Sequence, residues 1–167
     1  MRKLLPWLGL AALVIVLDQW SKLAITLSLT FGDRVVLTPF FDLVLTYNTG
    51  AAFSFLSNAS GWQREFFIAI ALLASIWILY MLYRHAGSML MNMALALVLG
   101  GAIGNVIDRF RFGAVVDFLH FHIAEYSWPA FNVADSAITV GAVLLIWDSF
   151  RPGSRTAAAN EKPRGSA

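Results

Sequence analysis

Two aspartates, Asp117 and Asp135, flank the last apolar segment of a very hydrophobic chain. A carboxylate at membrane depth is expensive, so its presence there points to a function. Two carboxyl groups close together can divide one proton between them: one holds it while the other takes a proton from water and makes that water a nucleophile. The chain has no cysteine, and none of its serines sits in a nucleophile-elbow pattern. Paired carboxylates acting on water are therefore the most economical chemistry it offers. The stretch Gly113-Ala-Val-Val-Asp117-Phe leads into Trp128-Pro-Ala-Phe-Asn132-Val-Ala-Asp135-Ser. This predicts the second carboxylate just inside a helix, with the first approaching from the connecting loop.

Asp108 competes for the same role. It has Arg109 beside it, and a neighbouring cation lowers a carboxylate's pKa and favours a structural ion pair, so Asp108 is expected to partner Arg109. Asp117 lies among Val115, Val116, Phe118 and Leu119 without such a neighbour. Desolvation there raises the pKa and suits proton sharing with Asp135. Asn105-Val-Ile-Asp108 and Asn132-Val-Ala-Asp135 share an Asn-x-x-Asp spacing that puts amide and carboxylate on one helix face. Such an amide can orient the carboxylate or bind a peptide carbonyl; equally, Asn and Asp can be helix caps, a reading stronger for Asn132 than for Asn105. Asp18 and Lys22, spaced i, i+4 in the first apolar run, can pair and so reduce the cost of burial. Asp117-x-x-His120-x-His122 has a metal-like look, yet no second ligand cluster accompanies it, and the histidines fit an interfacial polar face as well.

The elements that must position these groups follow from composition. With 167 residues, 59% of them hydrophobic and 13% charged, and a mean hydropathy of +0.69, the chain reads as an integral membrane protein of one bundle. A net charge of +2, with basic residues mostly at segment ends and tails, argues against a nucleic-acid partner. Spans of membrane length are predicted at about residues 4–27, 66–83, 89–107 and 131–147. The first begins like a secretory signal, with Arg2 and Lys3 before an apolar run, but no small-x-small cleavage site follows and a retained helix is expected. Gly100 and Gly104 form a Gly-x-x-x-Gly pattern that permits close helix approach. Arg2, Lys3, Arg84, Arg151, Arg155, Lys162 and Arg164 outnumber Arg34, Arg64, Arg109 and Arg111, which puts both termini in the cytoplasm. Residues 1–150 make the membrane domain, and 151–167 a polar, disordered cytoplasmic tail.

Both outer loops are more apolar than solvent loops should be. Val35 to Tyr47 carries strand-forming residues broken by Pro39, Ala51 to Leu56 follows a Gly50 turn, and Phe110 to Trp128 is similar in character. The expected fold is therefore mainly α, four transmembrane helices with a small irregular β-sheet on the extracytoplasmic surface. A proton-coupled transporter would also bury carboxylates, but no matching broken helices occur in two halves. A purely structural membrane protein has no need of so many ionisable and amide groups at one face.

Taken in order, Asp18-Gln-x-x-Lys22, Asn48-Thr-Gly-Ala-Ala-Phe53, Gly104-Asn-x-x-Asp108-Arg109, Val115-Val-Asp117-Phe118 and Phe131-Asn-x-Ala-Asp135-Ser136 resemble the motifs of bacterial lipoprotein signal peptidase, also called signal peptidase II. The resemblance covers about Leu4 to Phe150, and only the loop from His120 to Ser127 and the tail match no motif. It implies an aspartic endopeptidase of the bacterial inner membrane, with its active site near the periplasmic face. The implied reaction removes the signal peptide from a prolipoprotein, cutting before a cysteine that carries diacylglycerol. By the same resemblance Asp117 and Asp135 are the catalytic dyad, and Asn48, Gly50, Asn105, Asp108, Arg109 and Asn132 shape the site or bind substrate. Asp18 and Lys22 act as support. No metal or organic cofactor is implied; the partners are lipid-modified prolipoproteins and membrane lipid, and the enzyme is expected to be a monomer.

Overall fold

The computed structural model describes residues 4–50, 62–84 and 88–151. The expected segment Ala51 to Leu56, the extreme N-terminus and the tail beyond Arg151 lie outside the described residues. Four helices and four strands follow in the order α1 (Leu5–Ser28), β1 (Arg34–Thr38), β2 (Phe41–Asn48), α2 (Gln63–Arg84), α3 (Met89–Phe112), β3 (Val115–Ile123), β4 (Tyr126–Ser127) and α4 (Val133–Ser149). Among the described residues α1, α2 and α3 are long and apolar enough to cross a membrane. With 17 residues, α4 is at the short end of what a span requires.

Helix α3 is the centre of the bundle, packed against α1, α2 and α4. Its small residues make this possible. Gly100 lies against Ala11 and Val14 of α1, and Gly104 lies so close to Asp18 and Ala134 that a β-carbon there would stand 2.6 Å from Asp18 Oδ2. A core of Ala11, Ile78, Leu82, Leu95 and Leu99 joins three helices away from the sheet. Outward-facing Leu13, Trp20, Leu73, Trp77, Val143 and Ile146 are exposed, as lipid-facing side chains must be. At that same end Ser88 caps α3 and its hydroxyl donates to Asp148 Oδ1 at 2.7 Å, tying the start of α3 to the finish of α4.

At the opposite end the strands form one antiparallel sheet in the order β1-β2-β3-β4. Pro39 falls in the turn between β1 and β2, where its missing N–H costs no ladder bond. β3 lies beside β2 with Thr46 opposite Asp117 and Asn48 opposite Val115. Leu45, Val116 and Phe118 turn inward and pack with Ile25, joining the sheet to α1.

Helix boundaries shift by up to five residues from expectation, and two of these shifts bear on the site. α3 runs to Phe112 rather than Ile107, because Asp108 and Arg109 are buried and find partners within the bundle instead of ending the helix. It stops at Gly113, whose left-handed φ of +75° reverses the chain into β3. α4 begins at Val133 rather than near Phe131, since Phe131 is paired with Leu119 as an extended bridge to the sheet.

Candidate active site

Asp117 comes from β3 and Asp135 from the first turn of α4, and the side chain of Asn132 bonds to both residues. Asn132 is the N-cap of α4: its Oδ1 accepts from the Asp135 N–H at 2.9 Å. Its Nδ2 donates to Asp117 Oδ1 at 2.7 Å and to Val116 O at 3.2 Å. The capping reading and the orienting reading of this asparagine are therefore both right. Asn48, at the end of β2, accepts from the Gly50 N–H at 2.9 Å, which turns its Nδ2 towards Asp117 Oδ2 at 3.2 Å. Asn105 is no cap; it is buried in α3 and donates to Asp135 Oδ1 at 2.8 Å.

Asp117 is 2% exposed. Burial, and then repulsion from the Asp135 carboxylate, push its carboxyl up to about 7 against the opposing bonds from Asn48 and Asn132 and the charge of Lys22. Asp135 lines a cleft of about 530 Å³ whose walls are Phe67, Ile70 and Ala71 of α2 and Ile138, Thr139 and Val140 of α4, with Ala102 of α3 at its floor. Asp117 lines a smaller cavity of about 200 Å³. Both spaces are bounded by Asn48, Pro129 and Ala130, so the apolar cleft that Asp135 lines adjoins the more polar recess that Asp117 lines.

Behind the two aspartates lies a second layer of charge. Lys22 Nζ stands 2.7 Å from Asp18 Oδ2 and 2.8 Å from Asp108 Oδ2, all three side chains being buried. The expected pairing of Asp18 with Lys22 is present. The expected pairing of Asp108 with Arg109 is not: successive helix residues point about 100° apart, so Asp108 turns to Lys22 while Arg109 turns to the cleft. There Arg109 donates to Gly50 O at 2.8 Å and lies over the Phe67 ring at 5.2 Å. Gln19, to which the sequence reading assigns no role, donates through Nε2 to Asp18 Oδ2 at 3.1 Å and Asp108 Oδ1 at 2.9 Å. An amide inside an apolar span is signal enough to have singled it out.

His120 and His122 are not beside Asp117. Side chains alternate along a strand, so residues 120 and 122 face away from residue 117. Both rings turn to the buried Asp42, with His120 Nδ1 at 3.3 Å and His122 Nε2 at 2.9 Å from its Oδ2, and Arg34 adds a third contact at 2.6 Å. Burial raises the Asp42 carboxyl, but these hydrogen bonds and charges outweigh it and hold it below the usual carboxylate range. Among the described residues no group of three or more His, Cys, Asp or Glu is placed to hold a metal ion.

A family model described as signal peptidase (SPase) II matches residues 10–151, a range that takes in both aspartates and every side chain that holds them. The chain belongs to the signal peptidase II family. It is thus a protease of the membrane. The lipoprotein signal peptidase of Janthinobacterium sp. (strain Marseille) is 56% identical over 148 residues, covering 89% of this chain and 90% of that one. That of Burkholderia vietnamiensis (strain G4 / LMG 22486) is 57% identical over 148 residues, with 89% of each covered. Two solved structures described as bacterial membrane enzymes, at 2.3 and 1.9 Å resolution, align with TM-scores of 0.78 and 0.77 at 31% and 33% identity. They cover 97% and 88% of this chain and 94% of each neighbour. The signal peptidase II fold, four helices with a small antiparallel sheet at one end, is the fold expected.

Proposed function

We propose that this enzyme is an aspartic endopeptidase of the bacterial inner membrane that cuts diacylglyceryl-modified prolipoproteins before the lipidated cysteine, using Asp117 and Asp135. The reading rests on one observation above all: a single amide, Asn132, holds one carboxylate by its nitrogen and the backbone of the other by its oxygen. Two carboxylates so linked share a proton, since both cannot ionise cheaply in a desolvated site. Asp135, open to the cleft, accepts a proton as water attacks the scissile carbonyl, and Asp117 gives its proton to the carbonyl oxygen. The gem-diol then collapses: Asp135 returns its proton to the leaving nitrogen, the C–N bond breaks, and Asp117 recovers a proton from the diol. Atoms and charge balance, and the dyad is restored.

The other residues take supporting parts in this reading. Asn48, Asn105 and Asn132 hold the carboxylates, Gly50 and Arg109 shape the cleft wall and bind the peptide, and Asp108, Asp18 and Lys22 support them from behind. The apolar walls from α2 and α4 suit a signal peptide lying partly in lipid, while acyl chains remain in the bilayer. Tethering of this kind supplies orientation that a soluble protease must obtain by binding.

A precursor peptide carrying diacylglycerol should be cleaved at a new N-terminal cysteine, and the same peptide without lipid should be cut far more slowly. Each buried CH₂ contributes about 0.8 kcal/mol to placing it. Purified protein in detergent, both peptides and mass mapping of the products make the comparison. Equal rates would remove the lipid from the reading, and a product beginning elsewhere would remove the cleavage site.

A further inference from the structure

Lys22 is 3% exposed and lies one layer behind the aspartates, outside the proton transfers described above. An ammonium has three N–H groups. Here Lys22 donates to Asp18 Oδ2 at 2.7 Å and to Asn105 Oδ1 at 3.1 Å, and it forms an ion pair with Asp108 Oδ2 at 2.8 Å. All three partners continue to the dyad. Asp18 accepts, through its other oxygen, the backbone N–H of Ala134 at 2.9 Å, the residue just before Asp135. Asp108 accepts the backbone N–H of Val116 at 3.1 Å, the residue just before Asp117. Asn105, its oxygen held by Lys22, is left with its nitrogen towards Asp135 Oδ1 at 2.8 Å.

We infer that Lys22 is a positioning residue that sets the separation of Asp117 and Asp135 by clamping the backbone immediately before each of them. The inference rests on the dyad reading and deepens it. The two anchored amides explain why this layer reaches the dyad by backbone. Ala134 lies in the first turn of α4, where N–H groups have no acceptor within the helix, and Asp18 supplies one from another helix. Val116 lies on β3, so Asp108 sets that strand's position against α3. One cation drawing both carboxylates inward fixes a strand and a helix N-terminus on a common point. A purely space-filling lysine would not need both carboxylates to continue onto the backbone beside the two aspartates.

The test uses full-length enzyme in detergent and three variants. Hydrogen exchange is followed at the Val116 and Ala134 amides, together with kcat, KM and the pH profile. Asp18→Ala should speed exchange at Ala134 and not at Val116; Asp108→Ala should do the reverse; Lys22→Met should release both. Turnover should fall about 100-fold in kcat, as expected of roughly 1 Å of misplacement, with KM little changed. Loss of the Lys22 charge should also move the alkaline limb of the pH profile of Lys22→Met upward, since that charge acts to hold the Asp117 carboxyl down. If Lys22→Met does not fold, the two single-arm variants, each keeping one carboxylate beside the ammonium, still decide the matter. Unchanged protection at both amides, or equal loss at both in each single-arm variant, would overturn the inference. Full activity in Asp117→Asn would instead overturn the dyad reading and leave the amide pattern intact.

Discussion

At Asp117 the side chain, its burial and its partners give a pH dependence with a definite sign. A carboxyl raised from 3.8 to about 7 binds a proton in the folded state across a range where the unfolded chain has lost it. Stability at this position therefore falls as pH rises from about 4 to about 7, and the ionised group is a burden above that. Asp117→Asn should melt higher than the parent at pH 8, by an amount on the order of a few kcal/mol, with the gap closing towards pH 4. Thermal melts of both proteins across that range decide it; a variant less stable at pH 8 would contradict the assignment. The ionisable and amide residues around the cleft were legible in the sequence, because in an apolar chain such groups have no inexpensive alternative to one another. Who pairs with whom was not. Asp108 and Arg109 are neighbours along the chain but diverge around the helix, and Lys22, which Asp108 in fact meets, is 86 residues away by the numbering.

Among the elements, α3 carries the largest burden of precision. Its glycine face brings α1 and α4 close enough for Asp18 to reach the Ala134 amide. A methyl at Gly104 would meet Asp18 Oδ2, so Gly104→Ala should cost about 1 to 3 kcal/mol in thermal stability and lower activity with it. Gly9 on α1 faces open space, and Gly9→Ala should be neutral or slightly stabilising. Equal effects at the two glycines would refute the packing account. Helix positions and the broken β1-β2 ribbon could be read from hydropathy and Pro39. The extra turn of α3 could not, because polar residues read as an ending when their buried partners on α1 and β3 are unknown. For the same reason the histidines of β3 read as near Asp117, until the pleat of the strand sends them to Asp42.

For the molecule as a whole, the sheet and the aspartates lie at one end of the bundle, with Arg84 and Arg151 at the other. Counted along the sequence, Arg84 and Arg151 together with Arg2, Lys3, Arg155, Lys162 and Arg164 outnumber Arg34, Arg64, Arg109 and Arg111, which predicts that this second end faces the cytoplasm. The chain has no cysteine of its own, so single thiols introduced at Asn58 and Ser154 can be read without background. A membrane-impermeant reagent on intact spheroplasts should label the thiol at 58 and spare that at 154; the opposite pattern would invert the orientation. Composition made the membrane class legible, whereas the apposition of β3 to the α4 N-terminus depends on contacts between segments far apart in sequence.

The central claim is that Asp117 and Asp135 together perform the hydrolysis. Asparagine at either position keeps size and hydrogen bonding while removing the carboxyl chemistry, so the decisive measurement is turnover of a lipidated precursor by Asp117→Asn, Asp135→Asn and Asp108→Asn, with folding checked by thermal melts. General acid–base participation is worth about 10² to 10⁴ in rate. Asp117→Asn and Asp135→Asn should each lose at least that much while remaining folded and still binding the precursor, and Asp108→Asn, which keeps an acceptor for the Val116 amide, should retain measurable turnover. Substantial turnover by Asp117→Asn beside a folded, inert Asp108→Asn would move the chemistry from Asp117 to Asp108 and contradict the account.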